Sequence, residues 1–161
     1  RFVYLATDES DQELRVLDAS IYSNIKSIPE AKTDLPGLQD GQSLFLLGDT
    51  LYFGRQSTTS GPELYLFDTT NPTKGLPILQ SAEIGTGVNA LKVLGKNIFL
   101  ITPKSGKELQ IWTQDESNQF KPINTYSAKN LNFLGIDIDE KFLYIISQIT
   151  GDLQILYGQN I

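Results

Sequence analysis

The chain has 161 residues, 40% of them hydrophobic and 20% charged, and a net charge of −6. That length holds one domain with a real core, and that composition is globular rather than disordered. Its 13 basic residues are scattered among 19 acids. This disfavours nucleic acid, which needs clustered Lys and Arg.

No uninterrupted apolar run is longer than Phe142–Ile146, far short of the ~20 residues that a membrane span needs. No signal-peptide pattern opens the sequence. It starts at Arg1 and contains no Met, so a processed chain, or an excerpt of a longer one, is expected. There is no Cys and no His. Nucleophile systems built on Ser-His-Asp or Cys-His, histidine acid–base chemistry and the common zinc sites are therefore removed. Carboxylates, Lys, Tyr, Ser and Thr remain. No cofactor and no metal are expected.

Taken in chain order, the sequence repeats itself. One strand type (B) recurs at Val3-Tyr4-Leu5, Leu51-Tyr52-Phe53, Ile98-Phe99-Leu100 and Leu143-Tyr144-Ile145, its first positions 48, 47 and 45 residues apart. A second type (C) recurs as Glu13–Leu17, Glu63–Phe67, Glu108–Trp112 and Asp152–Leu156, at steps of 50, 45 and 44. An A-type strand precedes three of these, at Ser43–Leu47, Ala90–Leu94 and Phe133–Ile138. A D-type segment follows three, at Asn24–Ile28, Pro77–Ile84 and Phe120–Ser127. The arrangement is clearest at 89–113, NALKVLGKNIFLITPKSGKELQIWT, where turn residues separate three short strands.

Four short strands in a period of about 45 residues point to a β-propeller blade. The B strands are apolar on consecutive positions, as expected of a sheet covered on both faces. The expected fold is all-β, a propeller of about four blades or a half-ring of a larger one. Residues 1–161 are read as one domain with repeats at about 1–37, 38–87, 88–130 and 131–161. The competing fold is a β-sandwich. Ser27–Gly37 and Thr69–Gly75 read as connections.

The run Phe67-Asp68-Thr69-Thr70-Asn71-Pro72, followed by Leu79-Gln80-Ser81, Val88-Asn89-Ala90 and Ile98–Thr102, resembles the bacterial LVIVD-type propeller repeat. In that family a strand ending in Asp leads through Ser/Thr-Asn-Pro into the outer strand. The physics agrees, because Asp68 can close an Asx turn and Pro72 cannot continue a ladder. The resemblance is sharpest at 63–112. The first repeat has Asp18-Ala19-Ser20 without Asn-Pro, and the third, Thr113–Asn118, departs further. What the resemblance implies is an exported or surface-displayed bacterial protein, in some cases borne on a pilin-like stem, with no catalytic residues to transfer.

The strand count is 3 + 4 + 4 + 3, so the first repeat lacks A and the last lacks D. Bare sheet edges invite uncontrolled pairing. The remainder of a parent chain, self-association of two copies, or closure on four blades would each resolve this.

Each C strand opens with an acid: Glu13, Glu63, Glu108 and Asp152. Propeller geometry puts them on a common acidic rim, a surface for a cation or a basic partner; solvated or locally bonded turns are the plainer alternative. Asp8–Glu13, Asp115–Asn118 and Asp137–Glu140 are acidic loops without the calcium-loop spacing. Lys92 is a charge within an inner strand, a nucleophile candidate or a stem packed with its amine in water. Trp112, Tyr65, Tyr157, Tyr4, Tyr52, Phe99 and Tyr144 read as packing between blades. Gly85-Thr86-Gly87 reads as a flexible connection. The expected function is a non-enzymatic binding or display module, extracellular or at the cell surface. A protein or glycan is its expected partner, with no nucleic acid and no membrane span. The competing class is a carboxylate-dependent glycan hydrolase or lyase.

Overall fold

The computed structural model of the chain describes residues 1–9, 11–57, 61–117, 119–127, 132–139, 141–147 and 153–157; within 153–157 it describes the backbone and the Ile155 side chain. Among these residues fourteen strands form four antiparallel sheets. The first holds β1 (Phe2–Ala6), β2 (Leu14–Asp18) and β3 (Lys26–Ser27). The second runs β4 (Gly41–Leu47), β5 (Thr50–Arg55), β6 (Leu64–Asp68) and β7 (Ile78–Ala82). The third runs β8 (Ala90–Leu94), β9 (Asn97–Ile101), β10 (Leu109–Gln114) and β11 (Phe120–Tyr126). The fourth holds β12 (Phe133–Ile138), β13 (Phe142–Ser147) and β14 (Leu153–Tyr157). Each sheet falls inside one expected repeat, and each is a meander of sequential neighbours.

Register confirms that the repeat is physical. Ala6 pairs with Leu14, Gly54 with Leu64, Ile101 with Leu109 and Ile146 with Leu153. These pairs fix equivalent positions around the four sheets. Even the irregularities recur: the ladder to the outer strand shifts between Leu66 and Phe67 in the second sheet and between Ile111 and Trp112 in the third. In the third sheet the shift meets Pro122, which cannot donate to a ladder and belongs at a bulge on an edge strand. The A–B hairpins turn on Gly48 and Gly95, at φ 58° and 60°. A two-residue hairpin needs that left-handed start. Asn97 opens β9. The first D segment shrinks to two residues, β3, because Pro29 follows at once and begins a short 3₁₀ turn, Pro29–Ala31. A second 3₁₀ turn covers Pro72–Lys74.

The chain divides into two compact units, Arg1–Gly85 and Thr86–Ile161. In the first unit, the core joins Leu14 and Val16 of the first sheet to Leu51, Phe53, Tyr65 and Phe67 of the second, with Tyr4 and Ala6 packed against it. In the second unit, Phe99, Ile101 and Leu109 of the third sheet meet Phe133, Leu143 and Ile145 of the fourth, with Ile111 at the margin. The same equivalent positions are used both times. We call the face carrying Tyr4, Ala6, Leu14 and Val16 the rear face, and the face carrying Leu51 and Phe53 the front face. In each unit a rear face packs on the next sheet's front face. Gly41 opens β4 where a Cβ would lie 2.5 Å from the Glu13 carbonyl and 2.6 Å from the Phe53 ring. Only glycine lets β4 approach the first sheet this closely.

Candidate functional site

The acids at the head of each C strand share one backbone device. The N–H groups of Thr7, Arg55 and Thr102 donate to the carbonyls of Glu13, Glu63 and Glu108, each at 2.9 Å. This bond closes the B–C turn and turns the acid side chain inward. None of the three forms a solvent-facing rim: Glu13 is 0%, Glu63 1% and Glu108 7% exposed. A buried carboxylate must find donors, and these find amides. Glu13 Oε2 accepts from Leu35 N at 3.1 Å. Glu63 Oε2 accepts from Ile84 N at 2.8 Å and Gly85 N at 3.1 Å. Glu108 Oε1 accepts from Gly106 N at 3.0 Å. The first two carboxylates pin the segment that leaves the outer strand. The Gly85-Thr86-Gly87 connection is therefore anchored at Gly85 rather than loose. Asp152 lies outside the described residues.

Arg55 escaped the sequence reading. Its equivalents are Thr7, Thr102 and Ser147 at the end of each B strand; the hydroxyls of Thr7 and Thr102 donate to Gln12 O and Lys107 O. Arg55 instead reaches out of its own sheet and is fully buried. Its Nη2 lies 3.4 Å from Glu13 Oε1, and its Nη1 donates to Pro36 O at 3.0 Å. The guanidinium sits 5.9 Å from the centroid of the Tyr65 ring, within cation–π range. Burial pushes the Tyr65 phenol upward. A signal was present: one long cation at a repeat position otherwise held by Ser or Thr.

In the second unit, Lys92 on β8 meets Asp137 on β12 at 3.2 Å, its side chain 30% exposed against 73% for the acid. Lys92 is thus an ion-pair partner rather than a desolvated nucleophile. Its hydrogen bond holds the Asp137 carboxyl below the usual range, helped by the Ile138 amide. Beside it, Asp139 accepts from Lys141 N and Phe142 N, each at 2.7 Å, and from Tyr144 Oη at 2.8 Å. Those bonds lower Asp139 and raise the Tyr144 phenol. Among the described residues no group of three acids is placed to hold a metal ion.

An open, polar groove of about 430 Å³ runs along one end of the third sheet, lined by Lys96, Thr113, Gln114, Asp115, Glu116, Ser117 and Lys121. Its floor is shaped by the acidic loop 115–117. Asp115 Oδ1 accepts from Ser117 N at 2.9 Å and Gln119 N at 3.0 Å, and Thr113 Oγ1 donates to Lys96 O at 3.1 Å. One oxygen of Asp115 is thus spent on its own loop. The two lysines share the groove with the Asp115 and Glu116 carboxylates and with amide and hydroxyl groups, an arrangement suited to hydrogen-bonding a polar ligand. Of the aromatics expected to pack between blades, Tyr4, Tyr65 and Phe99 lie in or against the cores, buried Trp112 donates to Gln110 Oε1 at 3.1 Å, and the Tyr144 hydroxyl instead reaches exposed Asp139. The Tyr157 side chain lies outside the described residues.

No family model matches the sequence, and no curated protein matches it. Solved structures do. The chain is similar to a 6-phosphogluconolactonase-like protein of Bacteroides fragilis, with a TM-score of 0.73 and 12% identity, over 97% of this chain and 48% of that one. It is similar to a GH43B protein of a Bacteroides ovatus xyloglucan locus, with a TM-score of 0.51 and 13% identity, over 91% of this chain and 33% of that one. It is similar to the extracellular domain of a one-component system of B. thetaiotaomicron, with a TM-score of 0.51 and 19% identity, over 95% and 20%. The chain spans about half the length of the lactonase-like protein. At these identities the likeness is one of fold, all-β and propeller-like.

Proposed function

We propose that the chain is a propeller module of about four blades with LVIVD-type repeats, which binds a protein or glycan partner and performs no chemistry on it. The observation that carries this reading is the fate of the carboxylates. Glu13, Glu63 and Glu108 are buried and bonded to amides, whereas the polar groove between Lys96 and Lys121 is open to solvent. The Asx turn expected of the LVIVD-type corner is formed, with Thr70 N donating to Asp68 Oδ1 at 2.8 Å. Export or surface display is part of the proposal. It draws on the extracellular domain of similar fold and on the family resemblance. Among the described residues no helix is long and apolar enough to cross a membrane.

A second reading, a carboxylate-dependent glycan hydrolase, has one observation in its favour: Asp137 and Asp139 share a surface with Lys92 and Tyr144. A glycosidase needs one of its two acids protonated near neutral pH, with a raised pKa. Both of these acids are held below the usual range, which argues against it.

The test is a binding screen of the intact chain on an oligosaccharide array and a peptide array, alongside the double variant Lys96→Ala/Lys121→Ala. We expect a partner whose binding falls at least ~10-fold in the variant, about 1.4 kcal/mol. Turnover of aryl glycosides that disappears in Asp137→Asn would overturn the binding reading in favour of the hydrolase.

A further inference from the structure

Resting on the reading of the Lys96–Lys121 groove as a binding site, we propose that its ligand is an acidic oligosaccharide. The lysine ammonium groups take an anionic substituent of one sugar, and Asp115 and Glu116 accept from the hydroxyls beside it. Register builds the site. On β10, Thr113 stands opposite Lys121 of β11 and Asn97 of β9, so these three residues form one cross-strand row. The Thr113 hydroxyl donates to the Lys96 carbonyl, which holds the A–B hairpin against the end of that row. The amides of Ser117 and Gln119 close the acidic loop on Asp115 Oδ1. Ladder, hairpin and loop thus hold two lysines and two acids in one concavity.

The unspent charges decide the ligand. Among the described residues Lys96, Lys121 and Glu116 have no ion-pair partner, although both signs of charge line the same groove. An ammonium group offers donors only, and a carboxylate offers acceptors only. A ligand that satisfies both brings anionic oxygens to the lysines and hydroxyl donors to the acids, and such charge-assisted bonds are the stronger ones. The described lining has no aromatic or aliphatic side chain. It therefore gives no pocket for the apolar anchor on which a peptide interface depends. A hydroxylated acid needs no such pocket. The volume of about 430 Å³ lies within the range of small-ligand sites, about 300–1,000 Å³. Because the groove is open, a chain of sugars can seat one unit there and run on past it. The net charge of −6 sets a further limit: two lysines can meet one or two anionic groups, not a densely charged polyanion. A hexuronate carboxylate and a single sulfate ester share that chemistry.

Calorimetric titration of the intact chain tests this with three probes: a short oligogalacturonate, its methyl ester, and a galactan oligomer bearing one sulfate ester. The methyl ester keeps the hydroxyls and loses the charge. We expect an anionic probe to bind at least ~10-fold more tightly than the methyl ester. Binding of the uronate alone identifies a carboxylate site, and binding of both anionic probes a site for either group. Affinity should fall at least ~10-fold in Lys96→Gln/Lys121→Gln and be retained better in Lys96→Arg/Lys121→Arg. In the parent chain it should weaken as salt rises, a readout that needs no variant to fold. A methyl ester bound as tightly as the acid overturns the inference; if its binding is still lost in the Gln variant, the groove remains a binding site for neutral sugar. An acidic peptide that binds through the two lysines while all three sugars fail overturns the inference and leaves the binding module standing. An anionic probe held with unchanged affinity by the Gln variant overturns both, because its site then lies elsewhere.

Discussion

Arg55 and Glu13 form an ion pair between the first and second sheets, Nη2 to Oε1 at 3.4 Å, with neither side chain exposed. The pair ties together two sheets that also meet through apolar packing and backbone bonds such as Gly41 N to Thr7 O. Its stabilising value is a separate matter. Desolvating two charges costs several kcal/mol, and the attraction recovers that only with good geometry. Here the contact is long, and Arg55 Nε has no acceptor among the described residues.

A double-mutant cycle separates the two effects. Arg55→Met leaves the buried Glu13 carboxyl without its cationic partner, and Glu13→Gln leaves the buried Arg55 guanidinium without its acidic one. Each should cost about 3–5 kcal/mol in denaturant melts. The double variant strands no charge, and the amide oxygen introduced by Glu13→Gln can still accept from Leu35 N. It should be more stable than either single variant. Additive losses in the cycle would show that the pair is not coupled.

Glu63 supports the segment that follows β7 by accepting from Ile84 N and Gly85 N. Removing it strands two amides in a region where Ile84 is 7% exposed. Glu63→Ala should cost about 1–3 kcal/mol for the first stranded donor, with a smaller addition for the second. Glu63→Gln, which retains an acceptor, should lose less. Hydrogen exchange is the sharper measurement. The Ile84 and Gly85 amides should exchange faster in the Ala variant, whereas the Leu66 amide inside β6 changes only as far as global stability does. Unchanged protection at Ile84 would contradict the assignment.

Leu109 heads β10 and is 2% exposed within the core of the second unit. Leu109→Ala should destabilise by about 2–5 kcal/mol, the transfer loss plus the cavity left behind. Urea melts followed by Trp112 fluorescence report this unit directly. A cost within about 0.5 kcal/mol would be a surface value and incompatible with the packing seen here.

The architecture was legible because it repeats. Tyr4, Tyr52, Phe99 and Tyr144 stand at one position of four B strands, and the leucines at 14, 64, 109 and 153 head four C strands. A pattern seen four times outweighs the ambiguity of any short apolar run. The acids carried the same periodicity, but their burial was not legible. An acid in a turn looks the same whether it faces water or an amide, and the amides that Glu13 and Glu63 bind come 21 or 22 residues later, at Leu35, Ile84 and Gly85. The Arg55 contact was hidden for the same reason, since its partner lies 42 residues earlier in another sheet. The Asp68 turn was legible because Asx geometry is local: its donor is two residues on.

Lys92 and Asp137 yield the last prediction, which concerns pH. The Lys92 hydrogen bond is the largest influence holding the Asp137 carboxyl low, and the Ile138 amide comes second. A carboxyl whose folded pKa is depressed contributes stability above its unfolded value, about 3.9, and that contribution is lost as pH falls through the folded value. Asp137 is 73% exposed, so solvent screening keeps the stability effect small, and the titration itself is the better readout. Carbonyl NMR should place the Asp137 midpoint below that of an ordinary aspartate. Lys92→Ala should move it upward, though not fully, because the Ile138 amide remains. Asp139 serves as the internal control. Backbone amides of Lys141 and Phe142 hold it low, so its midpoint should barely respond to the loss of Lys92. High salt should weaken the Lys92 effect on Asp137. An Asp137 midpoint that ignores the Lys92 substitution would mean that the two sheets of this unit do not hold these side chains together in solution.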